Sequence, residues 1–187
     1  MDQKLTLPGR LGDPDLLLTA DPRLDPRIRQ ALLATPDIPE GQQFPGIDAN
    51  SSYEDCLTHC ARMEALQMQM FPDEVAVPAR ITRSTESITG VDGNEILLHV
   101  HRPTGTSNDL PCLVDFHGGG MVMLSTTFPP FVRWRDSLAA AGTVVIGVEF
   151  RNAAGLLGNH AFPRGLNDCS AAARWVHTQK QYLGIST

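Results

Sequence analysis

Three consecutive glycines, Gly118-Gly119-Gly120, are opened by His117 and preceded by the short apolar run Cys112-Leu113-Val114. Each glycine loses much backbone freedom on folding, so a triplet makes poor helix and poor strand. It is useful where a backbone must approach another group closely or aim its N–H groups. Cys112-Leu113-Val114 reads as a buried strand, and the C-terminal end of a strand in an open α/β sheet is where ligands bind. A tight glycine turn would be the plainer reading. His-Gly-Gly-Gly between an apolar strand and a following helix points instead to an oxyanion hole, with backbone donors aimed at charge that develops during acyl transfer.

The flanking sequence supplies the strand and helix that this reading needs. Phe128-Pro129-Pro130 starts a helix on which Phe131, Trp134, Leu138 and Ala141 recur at helical spacing, and Gly142 sits where a C-terminal cap belongs. Thr143 to Val148 is a second continuous apolar run. Strand, helix, strand of this kind is a parallel unit buried on both faces, with a right-handed crossover. Upstream, Asp92-Gly93 is a hairpin signal between residues 80–89 and a strand from Glu95 to His101. Ile96, Leu98 and Val100 share one face of that strand; Leu97, His99 and His101 share the other. His-x-His on a strand can bring two imidazoles to one metal, but no third ligand stands at a fitting spacing, so no metal is expected. Arg102 to Asp109 reads as a surface turn.

Phe150 to Pro163 is a long loop at the functional end of the sheet, carrying Gly155 and Gly158. Asn167 or Asp168 then begins a helix, with Asp168 at its positive end and Leu166, Cys169, Ala173 and Val176 as its apolar face. Leu183-Gly184 ends it. Before the sheet, Asp25-Pro26 opens a short helix carrying Ile28, Leu32 and Leu33, closed by Thr35-Pro36. Asp37 to Asn50 reads as an irregular connection. Ser51 or Ser52 caps a longer helix reaching about Met70, with Glu54 or Asp55 in its first turn and an approximate stripe of Tyr53, Cys56, Leu57, Cys60, Met63 and Met68 to Met70. Phe71-Pro72-Asp73 ends it. A methionine-rich face suits an adaptable lid over an apolar pocket, or ordinary core packing.

A net charge of −6, with no Lys/Arg cluster, argues against nucleic acid or anionic membrane as the main partner. The first residues, Met1 to Leu5, lack a signal-peptide run, and no stretch approaches the roughly 20 apolar residues of a membrane span. A soluble cytoplasmic protein is expected. Cys56, Cys60, Cys112 and Cys169 form no Cys-x-x-Cys pair and read as reduced thiols.

Gly90-Val91-Asp92-Gly93-Asn94-Glu95-Ile96, His117 to Met121, Phe150-Arg151-Asn152-Ala153, Phe162-Pro163 and Asn167-Asp168-Cys169 together resemble the α/β-hydrolases of the hormone-sensitive-lipase type. They are most similar to its bacterial brefeldin A esterase branch. The resemblance covers most of the chain and is weakest before Ser51. It implies an α/β fold: the N-terminal part of an α/β-hydrolase, a mixed, mostly parallel sheet with flanking helices. Residues 1–78 would be an N-terminal cap or lid. Residues 79–187 would be the first half of the core, with four strands and two helices, ending before the nucleophile elbow. The implied activity is carboxylic ester hydrolysis through an acyl-enzyme, on a small-molecule ester or lactone, with no cofactor. Gly119 and Gly120 would donate backbone N–H groups to the oxyanion. Gly118 would permit the turn, and His117 would orient the loop through hydrogen bonds. Asp168 would be structural.

Two departures from the family pattern are visible. Arg151-Asn152-Ala153-Ala154-Gly155 stands where the wider family has Arg-Leu-Ala-Pro-Glu, a change shared with the brefeldin-type branch. Gly-x-Ser-x-Gly occurs nowhere in these residues, so the nucleophile, acid and base are expected in a C-terminal half outside them. The family's next strand lies beside Cys112–Phe116, and without it that strand has an open edge. The competing class is a non-catalytic domain that binds a small apolar acyl compound or a partner chain.

Overall fold

A computed structural model of the chain describes residues 13, 15–34, 47–71, 75–106 and 109–186. The chain divides into two units, Met1–Ser51 and Ser52–Thr187. In the first, a 3-10 turn at Leu18–Ala20 precedes helix α1, Pro26–Leu33. Asp25 caps α1 by accepting the Arg27 N–H, and Pro26 takes the first helical position, where a missing N–H costs nothing. The stop at Thr35-Pro36, most of the connection from Asp37 to Asn50, Pro72-Asp73 and residues 107–108 of the surface turn lie outside the described residues.

The second unit opens with α2, Tyr53–Met70. Its start is a reciprocal capping box. Ser52 Oγ accepts the Asp55 N–H at 3.1 Å, and Asp55 returns a bond to the Ser52 N–H at 3.2 Å. The sheet follows: β1 Ile81–Thr89, β2 Glu95–Pro103, β3 Cys112–Asp115 and β4 Val144–Glu149. β1 and β2 form the hairpin turned at Gly93, whose φ of +76° only glycine adopts freely. β2 runs antiparallel to β4, and β3 parallel to β4, so the spatial order is β1-β2-β4-β3. Ile96, Leu98 and Val100 point into the core with Ile146 and Val148, against Cys169, Ala172 and Val176 of the helix that follows β4. Each of these valine, leucine and isoleucine side chains contributes about 1.5–3 kcal/mol by leaving water.

The other sheet face carries the polar residues, and there α3, Pro129–Ala140, departs from the periodicity. Phe131, Trp134, Leu138 and Ala141 were the expected inward stripe, yet Trp134 is 47% exposed and the buried positions are Arg135, Asp136 and Ala139. Pairing decided this. Arg135 Nη1 donates to Asp115 Oδ2 at 2.9 Å and to Thr126 Oγ1 at 3.1 Å, while its Nε donates to His101 Nε2 at 3.1 Å. Asp136 receives Arg83 and His101. Gly147 of β4 leaves room for the guanidinium: a Cβ there would sit 2.9 Å from Arg135 Cζ.

The next helix, α4, spans Arg164–Thr178 and so begins before Asn167. Asp168 therefore lies inside it and is not a helix-end residue. Its apolar face is Gly165, Cys169, Ala172 and Val176; Leu166 and Ala173 are exposed. A break at Gln179 separates the short helix α5, Lys180–Leu183, which Gly184 ends in the left-handed conformation, φ +58°. Ile185 then forms a parallel bridge with Leu110. The Leu110 N–H donates to Gly184 O at 3.3 Å, and the Ser186 N–H donates to Leu110 O at 2.8 Å. The chain thus leaves α5 alongside the lead-in to β3.

Candidate active site

β3 ends at Asp115 and delivers the glycines to the carboxyl edge of the sheet. Gly119 has φ +116°, Gly120 φ +67° and Met121 φ +59°. The turn closes on Gly119 O, which accepts the N–H of Val122 at 3.1 Å and of Met123 at 3.3 Å. A Cβ at Gly119 would stand 2.1 Å from Met123 O, so no side chain fits there. At Gly120 the nearest atom to such a Cβ is Val122 Cγ2 at 3.9 Å. Among the described residues, neither the Gly119 nor the Gly120 N–H donates to a protein group. Backbone N–H groups are seldom left without a partner inside a protein. These two stand open at the sheet edge, and Gly120 is exposed.

The rest of the loop is pinned. Met121 O and Val122 O accept the N–H groups of Ala153 and Ala154 at 3.0 and 2.8 Å, joining the glycine loop to the loop after β4. Glu149, at the end of β4, accepts from Ser125 Oγ at 2.5 Å and from the Thr126 N–H at 3.1 Å. Asn152, wholly buried, donates from Nδ2 to Leu124 O at 2.5 Å.

His117 lies 5% exposed between Phe150 and Phe131, with ring centroids at 4.3 and 5.7 Å. Its Nδ1 is 2.7 Å from Gly118 O, a pure acceptor, so Nδ1 carries the hydrogen. Nε2 is then the acceptor. It makes no hydrogen bond and lies 3.8 Å from Glu149 Oε1. Burial pushes the His117 pKa below the usual histidine value, so the ring is neutral. The neutral ring is thus held by two phenyl groups and by the next carbonyl.

Beneath the loop, His101 is also neutral. Arg135 donates to its Nε2, so its hydrogen is on Nδ1 and is donated to Asp136 Oδ1 at 2.7 Å. Burial is again the main cause of its lowered pKa, and it lowers that of His99. These shifts fix a pH dependence. Each ring binds a proton less readily folded than unfolded, so stability declines as pH falls below about 6.5, the ordinary value. The loss continues to each folded pKa and then levels off, at up to about 1.4 kcal/mol per pH unit per histidine. The midpoint of urea unfolding should therefore fall from pH 7 to pH 5, and His101→Gln should flatten that slope.

Asp168 is 1% exposed and holds Arg151 by both oxygens: Nε to Oδ2 and Nη2 to Oδ1, each at 2.8 Å. Asn94 of the β1–β2 hairpin also donates to it at 3.0 Å. Burial raises the Asp168 pKa, but the bonds from Arg151 outweigh it and hold the carboxyl below its usual range. The pair sets the start of the loop after β4 against α4.

One residue had no sequence signal of a role. Glu64, the buried residue of α2, is 2% exposed and reaches both loops. It sits one turn after Cys60. The apolar stripe expected for α2 is partly outward: Tyr53 is 64% and Met68 41% exposed. A separate cavity of about 320 Å³ lies away from the glycine loop, between β1, β2 and α3, lined by Arg83, His99 and Pro129 among others. Among the described residues no three His, Cys, Asp or Glu converge as a metal site, and no helix is long and apolar enough to cross a membrane.

Comparison with known proteins bears on this arrangement. A family model described as the alpha/beta hydrolase fold matches residues 113–187. Carboxylesterase NlhH of Mycobacterium tuberculosis is 33% identical over 116 residues, 60% of this chain and 33% of that protein. Tuliposide A-converting enzyme b1 of Tulipa gesneriana is 38% identical over 71 residues, 37% of this chain and 18% of that protein. The structure of brefeldin A esterase, described as a bacterial homologue of human hormone-sensitive lipase, superposes with a TM-score of 0.84. It is 39% identical, over 96% of this chain and 51% of its own. Esterase Est22 superposes with a TM-score of 0.70 and 30% identity, over 89% of this chain and 50% of its own. The chain spans about a third of the first of these curated proteins and about half of each structure.

Proposed function

We propose that this chain, which has the α/β-hydrolase fold and resembles the hormone-sensitive-lipase type of esterase, supplies the oxyanion hole and cap of a serine carboxylesterase. The observation that carries the reading is the pair of open N–H groups on Gly119 and Gly120, in a loop whose Gly119, Met121, Val122 and Leu124 carbonyls all accept hydrogen bonds. When a serine attacks an ester carbonyl, its oxygen becomes an oxyanion. Two preorganised backbone donors stabilise that charge without reorganising. The substrate is a small-molecule ester or lactone; the names of the related esterases support an ester. No residue of this sequence serves as nucleophile, and His117 is not the base.

The serine, acid and histidine belong to a C-terminal half that follows Thr187. The bridge from Ile185 to Leu110 supports this, because a strand continuing from it would run parallel beside β3. Its carboxyl end would then lie next to the glycines, where a nucleophile elbow is needed. The four cysteines are free thiols, which suits a cytoplasmic setting.

The test compares two proteins. The 187-residue chain should not turn over a p-nitrophenyl acyl ester and should not be labelled by a serine-directed phosphonate. The chain extended along its reading frame should carry Gly-x-Ser-x-Gly within about fifteen residues of Thr187 and do both. Phosphonate labelling of the short chain, or an extension without the elbow, would sink the reading.

A further inference from the structure

We infer that Glu64, on helix α2, is a positioning residue that fixes the oxyanion loop from the cap side; this rests on the esterase reading above. Its Oε1 accepts the Leu124 N–H and its Oε2 the Leu156 N–H, both at 2.7 Å. Hydrogen bonds to an ionised acceptor are roughly twice as strong as neutral ones. One carboxylate therefore ties the end of the glycine loop to the loop after β4. These are the two loops that also pair through Met121–Ala153 and Val122–Ala154.

The fold reserves space for this carboxylate. Gly155 has φ +76°, and a Cβ on it would stand 2.6 Å from Glu64 Oε2. The link to the donors is short. A Cβ built on Gly119 would lie 3.5 Å from Leu124 Cβ, so Leu124 packs against the Gly119 backbone. Leu124 itself is strained at φ +73° and is held between Glu64 on its N–H and Asn152 on its carbonyl. Release of its N–H frees the turn that aims Gly119. α2 is anchored at both ends, by Tyr53 Oη donating to Asn159 Oδ1 and by Phe71 packed edge-on against Phe128 at 5.6 Å. The helix position thus passes through Glu64 to the oxyanion donors. Glu64 does not touch substrate; it acts through Leu124.

Glu64→Gln in the extended enzyme keeps the shape but turns an NH₂ toward one of the two backbone donors. It should lower kcat by about 10–100-fold, as sub-ångström to ångström misplacement does. KM should stay within about twofold, because donors that act on the oxyanion work in the transition state. A trifluoromethyl ketone, which forms a tetrahedral adduct, should weaken by the same factor as kcat/KM. Hydrogen exchange gives a readout independent of activity: the Leu124 and Leu156 amides should be slow in the wild type and fast in Glu64→Gln. If Glu64→Gln does not fold, Gly155→Ala, which crowds the same oxygen, should show the same kcat loss. Unchanged kcat in a folded variant, a loss confined to KM, or fast exchange of both amides in the wild type overturns the inference. Absence of ester turnover in the wild-type extended enzyme overturns the esterase reading and the catalytic role with it, whereas fast wild-type exchange overturns the latch alone.

Discussion

Gly119→Ala in the extended enzyme should cut kcat by about 10²–10³-fold, the usual cost of one lost oxyanion donor, with little change in KM. Gly120→Ala should cost far less. The two glycines are adjacent, yet their surroundings differ. At Gly119 a methyl group would meet Met123 O at 2.1 Å, and φ +116° is a conformation that side chains rarely adopt. The loop must shift, and its N–H shifts with it. At Gly120 the space is open and φ +67° lies in the left-handed region, at about 1–2 kcal/mol for alanine. The N–H need not move. Gly119→Pro would be a poor test, because proline fixes φ near −65° and would destroy the loop along with the donor. Steady-state kinetics on a p-nitrophenyl ester, with a melting curve for each variant, separate the cases. Equal effects at the two positions, or none at Gly119, would falsify the donor assignment.

Arg135→Ala should destabilise the fold by about 3–5 kcal/mol, the cost of removing one member of a buried ion pair. Arg135 is fully buried, and its removal strands Asp115, Thr126 and His101 together. Arg135→Lys should rescue little, since an ammonium cannot reach three partners in a planar fork. Urea unfolding of the extended enzyme measures both. A loss below about 1 kcal/mol would show that solvent or neighbours replace the guanidinium. The effect should extend to activity, because Asp115 and Thr126 flank the glycine loop.

Much of this fold was legible because its signals are local. The Ser52 cap, the Asp92-Gly93 turn, the apolar run of β4 and the Gly184 stop each specify a conformation within a few residues. The glycine triplet announced a special backbone in the same way. What was not legible depends on partners far along the chain. An apolar stripe was the guide to the inner faces of α3 and α4; in α3 Arg135 and Asp136 took inner positions beside Ala139, and in α4 Asp168 joined Cys169 and Val176 there. Arg135 is buried because Asp115 and His101 await it, and Asp168 because Arg151 and Asn94 do. Glu64 has its partners 60 and 92 residues away. A buried charge is tolerated only when paired, and sequence periodicity carries no record of pairing across space. The open donors follow the same division. Three glycines indicated that the backbone would be exposed, but not that Glu64, Glu149 and Asn152 would hold it.

Glu64 and Gly155 occupy one volume between them, and this bears on how such chains change by descent. A side chain at 155 and a carboxylate from residue 64 exclude each other, so the two positions are not free to drift separately. Any side chain at 155 requires the carboxylate at 64 to withdraw, and its withdrawal leaves the Leu124 and Leu156 N–H groups without their acceptor. A change at either position is therefore better tolerated together with a change at the other than alone.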